Sequence, residues 1–399
     1  MSIKSYSVEL SNAIQTFDGK SLSRLLSLRH THASPFRSSI ISTFTNNTIS
    51  DVLSSNLSVS EQTEEWSNII SSFIEAFHHY YHNSFQECYT SLSSMVSSIL
   101  TVFHYWNLSF VRTFTSELKS IAIKTKSSDV LDDVSSLLFR FSQACNADKG
   151  PVETSKQWLY LHLSNVLLAV YFQSNSLGLA KSVLRPWETV SVIPLDDYPL
   201  IDRVTFCYYS GRIYLYRGKF RLAHERLSFC FGKLTISDSK RATLCSYYYV
   251  FAALLHGKSP STSLLSRLNM DFLSSFIMTV RRGDVVGYVE WGRSHEKLLL
   301  KTGCFVVYST LELVVLRNLF KNVVGYHTPK LLFSRLQMAY QYSSSRHVGQ
   351  NDDDIDPQVI CQVSRLFSEG FVKGYVSVPH KAIVLSKQDP FPKLSGRKM

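Results

Sequence analysis

The sequence predicts a mainly α fold: a tetratricopeptide-like helical-repeat solenoid followed by a C-terminal winged helix. Three observations lead there. Apolar residues recur at helical spacing in segment after segment from Glu61 to Val324. Within residues 203–236, Gly211, Tyr214, Gly218, Phe220, Ala223, Leu227 and Cys230 fall at offsets 0, 3, 7, 9, 12, 16 and 19, the small–large–turn spacing of a repeat helix pair. The last forty residues read helix, strand, turn, strand. The chain has 399 residues and 45% hydrophobic content, enough for two or three packed units. We place them at 1–200 (N-terminal helical repeats), 201–303 (a second helical subdomain) and 304–399 (winged helix and tail).

Residues 1–60 are rich in Ser and Thr, with weak helical patterns at Val8–Phe17 and Ser21–Leu28, and Pro35 before Phe36–Phe44. Glu61–Tyr81 carries the stripe Trp66, Ile69, Ile70, Phe73, Ile74 and Phe77. Ser84–Leu118 reads as one helix and Val130–Cys145 as the next. Gly150-Pro151 breaks the pattern. A strongly apolar helix, Trp158–Phe172, follows with its antiparallel partner Ser176–Leu184, and Pro186, Pro194 and Pro199 mark the connection onward.

In the repeat pair, small residues at Gly211 and Ala223 let two helices approach while Tyr214 and Phe220 fill the groove. Ala242–Leu255, stopped by Gly257–Pro260, is the next layer. Phe272–Arg282, Asp284–Leu300 and Cys304–Val324 are three further helices, punctuated by Gly283 and Gly303. The last of these is apolar on most sides and should be buried. Leu331–Tyr342 reads as a helix, and 343–356 as an acidic loop. Asp356 is an N-cap candidate and Pro357 suits the first helical position. Val359, Ile360, Val363, Leu366 and Phe367 form one face, and Gly370 can take the left-handed position that ends the helix. Strands Phe371–Val376 and Ala382–Leu385 flank the turn Val378-Pro379-His380.

The chemistry-bearing residues do not assemble into a reaction centre. The seven cysteines contain no CxxC pair, and their odd number and wide spacing suit buried thiols rather than disulfides or a zinc cage. His78 and His82 are one helical turn apart, but no carboxylate or thiol stands at a matching ligand spacing. Asn351-Asp352-Asp353-Asp354 resembles the start of a calcium loop without its glycine and distal glutamate. There is no phosphate-binding P-loop, no strand–GxGxxG–helix unit, no GxSxG elbow and no HExxH pair. We expect no cofactor and no metal. No apolar run reaches membrane-spanning length, and no basic-then-apolar signal region opens the chain, so a soluble intracellular protein is expected. Sequons beginning at Asn46, Asn56 and Asn107 are then incidental.

Charge is unevenly placed. Residues 201–399 hold 28 Lys/Arg against 14 Asp/Glu, whereas residues 1–200 hold 14 against 17. A basic half suggests a polyanionic partner; a basic surface that only aids solubility is the plainer alternative. Candidate phosphate contacts are Arg317, Lys321, Lys330, Arg335, Lys373, Lys381 and Lys387. Tyr375 and His380 could stack on or bond to a base, although a tyrosine in a strand also reads as core. The wing could equally accept a partner strand.

The strings Val372-Lys373-Gly374-Tyr375-Val376-Ser377, His380-Lys381, Val384-Leu385-Ser386-Lys387-Gln388 and Pro390-Phe391-Pro392 resemble the end of one PCI-domain family. Gly283-Asp284-Val285, His295, Gly303 and Arg317-Asn318-Leu319-Phe320-Lys321 extend the resemblance, which reaches back to about Tyr208. That family contains the PCI subunit of the TREX-two mRNA-export complex and a related twelfth, accessory subunit of the COP-nine signalosome. PCI modules join a helical solenoid to a winged helix, which makes 201–303 the PCI helical subdomain and 304–399 the PCI winged-helix subdomain. The resemblance implies a non-catalytic scaffold subunit that binds a larger export scaffold. A small acidic protein shared with the proteasome lid would brace the pair, and RNA or DNA would lie on the basic winged-helix surface. It implies a nuclear, pore-associated location with a cytoplasmic pool. The signalosome membership remains the alternative.

Overall fold

The computed structural model describes residues 3–29, 63–189, 193–234, 239–324, 330–344, 357–377 and 379–396. The segment Phe36–Phe44, the sequons at Asn46 and Asn56, the acidic run Asn351–Asp354 and the cap at Asp356 lie outside the described residues. The architecture is mainly α, a helical solenoid ending in a winged helix. The chain divides into two compact units, Met1–Tyr209 and Ser210–Met399, a division that falls inside one helix.

The first unit contains α1 (Ile3–Gln15), α2 (Gly19–Leu25), α3 (Thr63–Tyr81), α4 (Phe85–Thr101), α5 (Leu108–Thr125), α6 (Ser128–Asn146), α7 (Tyr160–Gln173) and α8 (Ala180–Glu188). The whole apolar stripe of α3, from Trp66 to Phe77, is buried. The single helix expected over Ser84–Leu118 is instead two, α4 and α5, broken by a 3-10 turn at Tyr105–Asn107. The cause is Asn107. Its buried amide donates to the Val102 carbonyl at 2.7 Å and its side-chain oxygen accepts from the His104 N–H at 3.0 Å. Those bonds satisfy backbone groups that the break would leave unpaired. Burial of Asn107 also withdraws its sequon from the surface. The helix expected to end at Leu184 runs through Pro186 to Glu188, held by Trp187, which stacks on Tyr160 and donates to Ser164 Oγ at 3.1 Å.

Two buried carboxylates knit this unit. Glu117 accepts from Ser27 Oγ at 2.7 Å and the Leu28 N–H at 3.0 Å, tying the end of α2 to α5. Asp202, near the start of α9 (Leu200–Tyr216), takes a bidentate pair from Arg112 at 2.7 Å. Burial opposes ionisation of Asp202, but bonds from His162 and Arg112 prevail and hold its carboxyl below the usual range.

In the second unit, α9 packs on α10 (Phe220–Lys233) as the repeat spacing predicts. A Cβ added at Gly211 would stand 2.7 Å from Leu227 Cγ, so only glycine permits this approach. α11 (Ser239–Leu255), α12 (Thr262–Arg267), α13 (Phe272–Arg282), α14 (Val285–Ser294), α15 (Glu296–Thr302) and α16 (Phe305–Val324) follow. The helix expected over Asp284–Leu300 is broken at His295 into α14 and α15. Ser294 Oγ bonds the Glu290 and Trp291 carbonyls, while the His295 ring stacks on Trp291 at 4.3 Å and bonds its carbonyl. These local bonds compete with the helical ladder. Gly283 ends α13 at φ 73°, and a Cβ there would lie 2.3 Å from the Leu319 backbone nitrogen. α13 therefore seats directly on α16, fixed by Asn318 donating to the Val280 carbonyl at 2.9 Å and Asn322 to that of Arg282 at 3.0 Å.

After α16 come β1 (Lys330–Leu332), α17 (Phe333–Ser344), α18 (Pro357–Ser368), β2 (Gly374–Ser377) and β3 (Ala382–Leu385). β1 corrects the expectation that Leu331 opens a helix. Its three residues pair with β3, Lys330 opposite Val384 and Leu332 opposite Ala382, and the Phe333 N–H donates to the Lys381 carbonyl. A short apolar run cannot by itself distinguish strand from helix. The sheet is antiparallel in the order β1-β3-β2. Phe371 and Val372, expected in the first wing strand, are buried ahead of it, with both N–H groups bonded to the Leu366 carbonyl. Val359, Val363 and Leu366 of α18 close the small core against Phe320, Leu336, Ile383 and Leu385.

Candidate nucleic-acid and docking interface

The register of the sheet places the basic residues. Gly374 pairs with Leu385 and Lys330 with Val384, so Lys330, Lys373 and Lys387 gather at one end of the sheet. Lys381 stands at the other end, beside Ala382 at the tip of the β2–β3 hairpin. Two backbone bonds brace the open end: the Lys373 N–H donates to the Pro390 carbonyl at 2.8 Å, and the Ser386 N–H to the Lys373 carbonyl at 2.9 Å. Lys373, Lys381 and Lys387 are exposed, as are Arg335 on α17 and Lys321 in the last turn of α16. Lys373 makes an exposed ion pair with Asp389 at 3.7 Å. Such a pair contributes little and is readily exchanged for a phosphate.

Arg317 is a correction. Expected from its position among the nucleic-acid contacts, it is only 7% exposed. Its guanidinium donates to the Phe391 and Pro392 carbonyls at 3.1 and 2.9 Å, and to Asn318 Oδ1 at 3.2 Å. Burial lowers its pKa, while Asp389 partly restores it. A cation committed to tail carbonyls positions the C-terminal segment on α16; it has no face for a nucleic-acid strand. Tyr375, whose strand position also suggested core, is 61% exposed on the edge strand β2. Its ring is open to stacking, and the backbone of β2 offers an edge to a partner strand.

Sequence reasoning missed Lys258, Arg281 and Lys393. They join Arg317 and Lys321 around a cleft in the second unit. The only sequence signal was their position at helix ends, beside Gly257 and Gly283 and in the tail. Among the described residues no three His, Cys, Asp or Glu side chains are grouped to hold a metal ion, and no single helix is long and apolar enough to cross a membrane. Six cysteines are buried thiols, and Cys361 is exposed.

No protein-family model matches the chain. Individual relatives do. PCI domain-containing protein 2 of Danio rerio is 30% identical over 330 residues, covering 79% of this chain and 81% of the relative. The chain belongs to the PCI domain-containing protein 2 family. The Xenopus laevis member is 27% identical over 417 residues, 99% of this chain and 98% of its own length. Protein CSN12 homolog of Schizosaccharomyces pombe is 25% identical over 284 residues, 69% of this chain and 65% of its own. The second unit, helices followed by a winged helix, has the architecture of a PCI module. In this family member Arg317 and the Phe391-Pro392 carbonyls lock the tail onto α16, leaving the exposed lysines on the sheet and helix ends.

Proposed function

We propose that this protein is a non-catalytic scaffold subunit of a TREX-two-like complex. It binds a larger scaffold protein through its PCI module, braced by a small acidic protein shared with the proteasome lid. The winged helix holds RNA or DNA and couples transcription to mRNA export, in the nucleus and at its pores, with a cytoplasmic pool. The observation that carries this reading is the exposure of Lys373 and Lys387 at one end of the sheet, on the strand ladder that also exposes Tyr375. Clustered lysines neutralise phosphates without reading sequence, and an exposed ring adds sequence-tolerant stacking. Affinity purification from native cells tests it: an export scaffold should be recovered, and the reconstituted pair should bind RNA at low salt. Failure of both would refute it. A second reading, an accessory signalosome subunit acting through protein contacts, is favoured by the relative named Protein CSN12 homolog and by the open β2 edge. Co-purification with the signalosome's metalloprotease subunit would select it.

A further inference from the structure

The cleft missed by sequence has the chemistry of an anion site. Its volume is about 320 Å³, at the small end of pockets that hold small molecules. Lys258, Arg281, Arg317, Lys321 and Lys393 line it, and no carboxylate does. Lys258, Arg281, Lys321 and Lys393 are exposed and make no ion pair among the described residues. Two buried polar atoms of lining residues, Arg317 Nε and His256 Nδ1, lack partners among the described residues. The Ala253 and Leu254 carbonyls at the end of α11 are already taken by the Lys258 and Gly257 N–H groups, so they do not face the cleft as free acceptors. Leu394 and Ser395 of the tail complete the wall, and Arg317 anchors that tail.

Cations crowded around one concavity repel each other, and a ligand with several phosphates relieves that repulsion. We propose that this cleft binds a compact polyphosphate, a small molecule carrying clustered phosphate groups, between the ends of α11, α13 and α16 and the C-terminal tail. The walls favour a compact ligand over an extended strand, so the site is separate from the sheet-end lysines that carry the nucleic-acid reading.

Calorimetric titration of the full chain at low salt with inorganic tripolyphosphate, ATP and inositol hexakisphosphate tests the site. At least one should bind saturably at one site per chain. Tripolyphosphate binding would show that the phosphates alone suffice; preference for either other probe would add its base or ring to the recognition. Lys258→Glu, Arg281→Glu and Lys393→Glu should each weaken binding by about tenfold or more, as expected for losing one charge-assisted hydrogen bond. Unchanged circular dichroism melting of these exposed-site variants would confirm that folding is intact. Lys373→Glu with Lys387→Glu should weaken polyphosphate binding less than any one of the three cleft variants, since neither lysine lines the cleft. No saturable binding of any probe, or binding indifferent to the three cleft variants, would overturn the proposal. So would cleft variants that weaken RNA binding alone, because the cleft would then belong to the nucleic-acid surface.

Discussion

Replacing Arg317 by Ala separates a cation that anchors the tail from a nucleic-acid contact. The side chain gives two hydrogen bonds to the Phe391 and Pro392 carbonyls and lies over the Phe391 ring at 5.8 Å. Each charge-assisted bond contributes roughly 1.5–3 kcal/mol. The two share one donor nitrogen and the accepting residues are half-buried, so the low end applies and the sum is about 3 kcal/mol. That loss should release the tail from α16 while the solenoid stays folded. Hydrogen exchange reads it directly. The Lys373 N–H, bonded to the Pro390 carbonyl, and the Ser386 N–H, bonded to the Lys373 carbonyl, should lose about a hundredfold in protection, the conversion of 3 kcal/mol. Amides of α10 should be unaffected. Arg317→Ala with unchanged protection at Lys373 and Ser386, but RNA affinity reduced as much as by Lys387→Glu, would refute the structural role.

Three other perturbations follow from the packing and the ionisation of the chain. Gly283→Ala should destabilise the second unit by about 3 kcal/mol or more in urea unfolding, because left-handed backbone and a clash with the Leu319 nitrogen add; a loss below 1 kcal/mol would contradict the close seating of α13 on α16. The stacked His224 and His256 rings are 4.5 Å apart, and burial, the neighbouring imidazole and Lys258 depress His224 to about 4. The unfolded chain then takes up this proton first, so stability should be complete above pH 6.5 and fall as the pH drops toward 4; His224→Gln should flatten that segment of the pH profile. Asn107→Leu should cost about 2–3 kcal/mol in thermal or urea unfolding by orphaning the His104 N–H and the Val102 carbonyl.

Much of the fold was legible because its signals are local. The stripe of α3 and the Gly211–Cys230 spacing each report one helix face or one close approach: the α3 stripe is buried throughout, and so are Tyr214, Ala223, Leu227 and Cys230, while Phe220 is half-buried. The helix breaks at Asn107 and His295 were not legible. They depend on side-chain bonds to backbone that polar residues make only in a particular context. β1 escaped for a related reason: Lys330–Leu332 become a strand because β3, some fifty residues on, supplies their partners. The interface divides in the same way. Position in the wing marked Lys373, Lys381 and Lys387 from sequence alone. It could not show that Arg317 faces the tail carbonyls, nor that Lys258, Arg281 and Lys393 converge, since each lies on a different element.

The central claim is that an exposed basic sheet end on a PCI winged helix docks nucleic acid. Binding of single-stranded RNA by the reconstituted scaffold pair, measured across a salt series with and without Lys373→Glu and Lys387→Glu, tests it most directly. The unmodified pair should show log affinity falling linearly with log salt, and the double variant should bind more weakly with a slope shallower by about 1.4, two phosphate contacts at about 0.7 each. An affinity and slope indifferent to both substitutions would contradict the account.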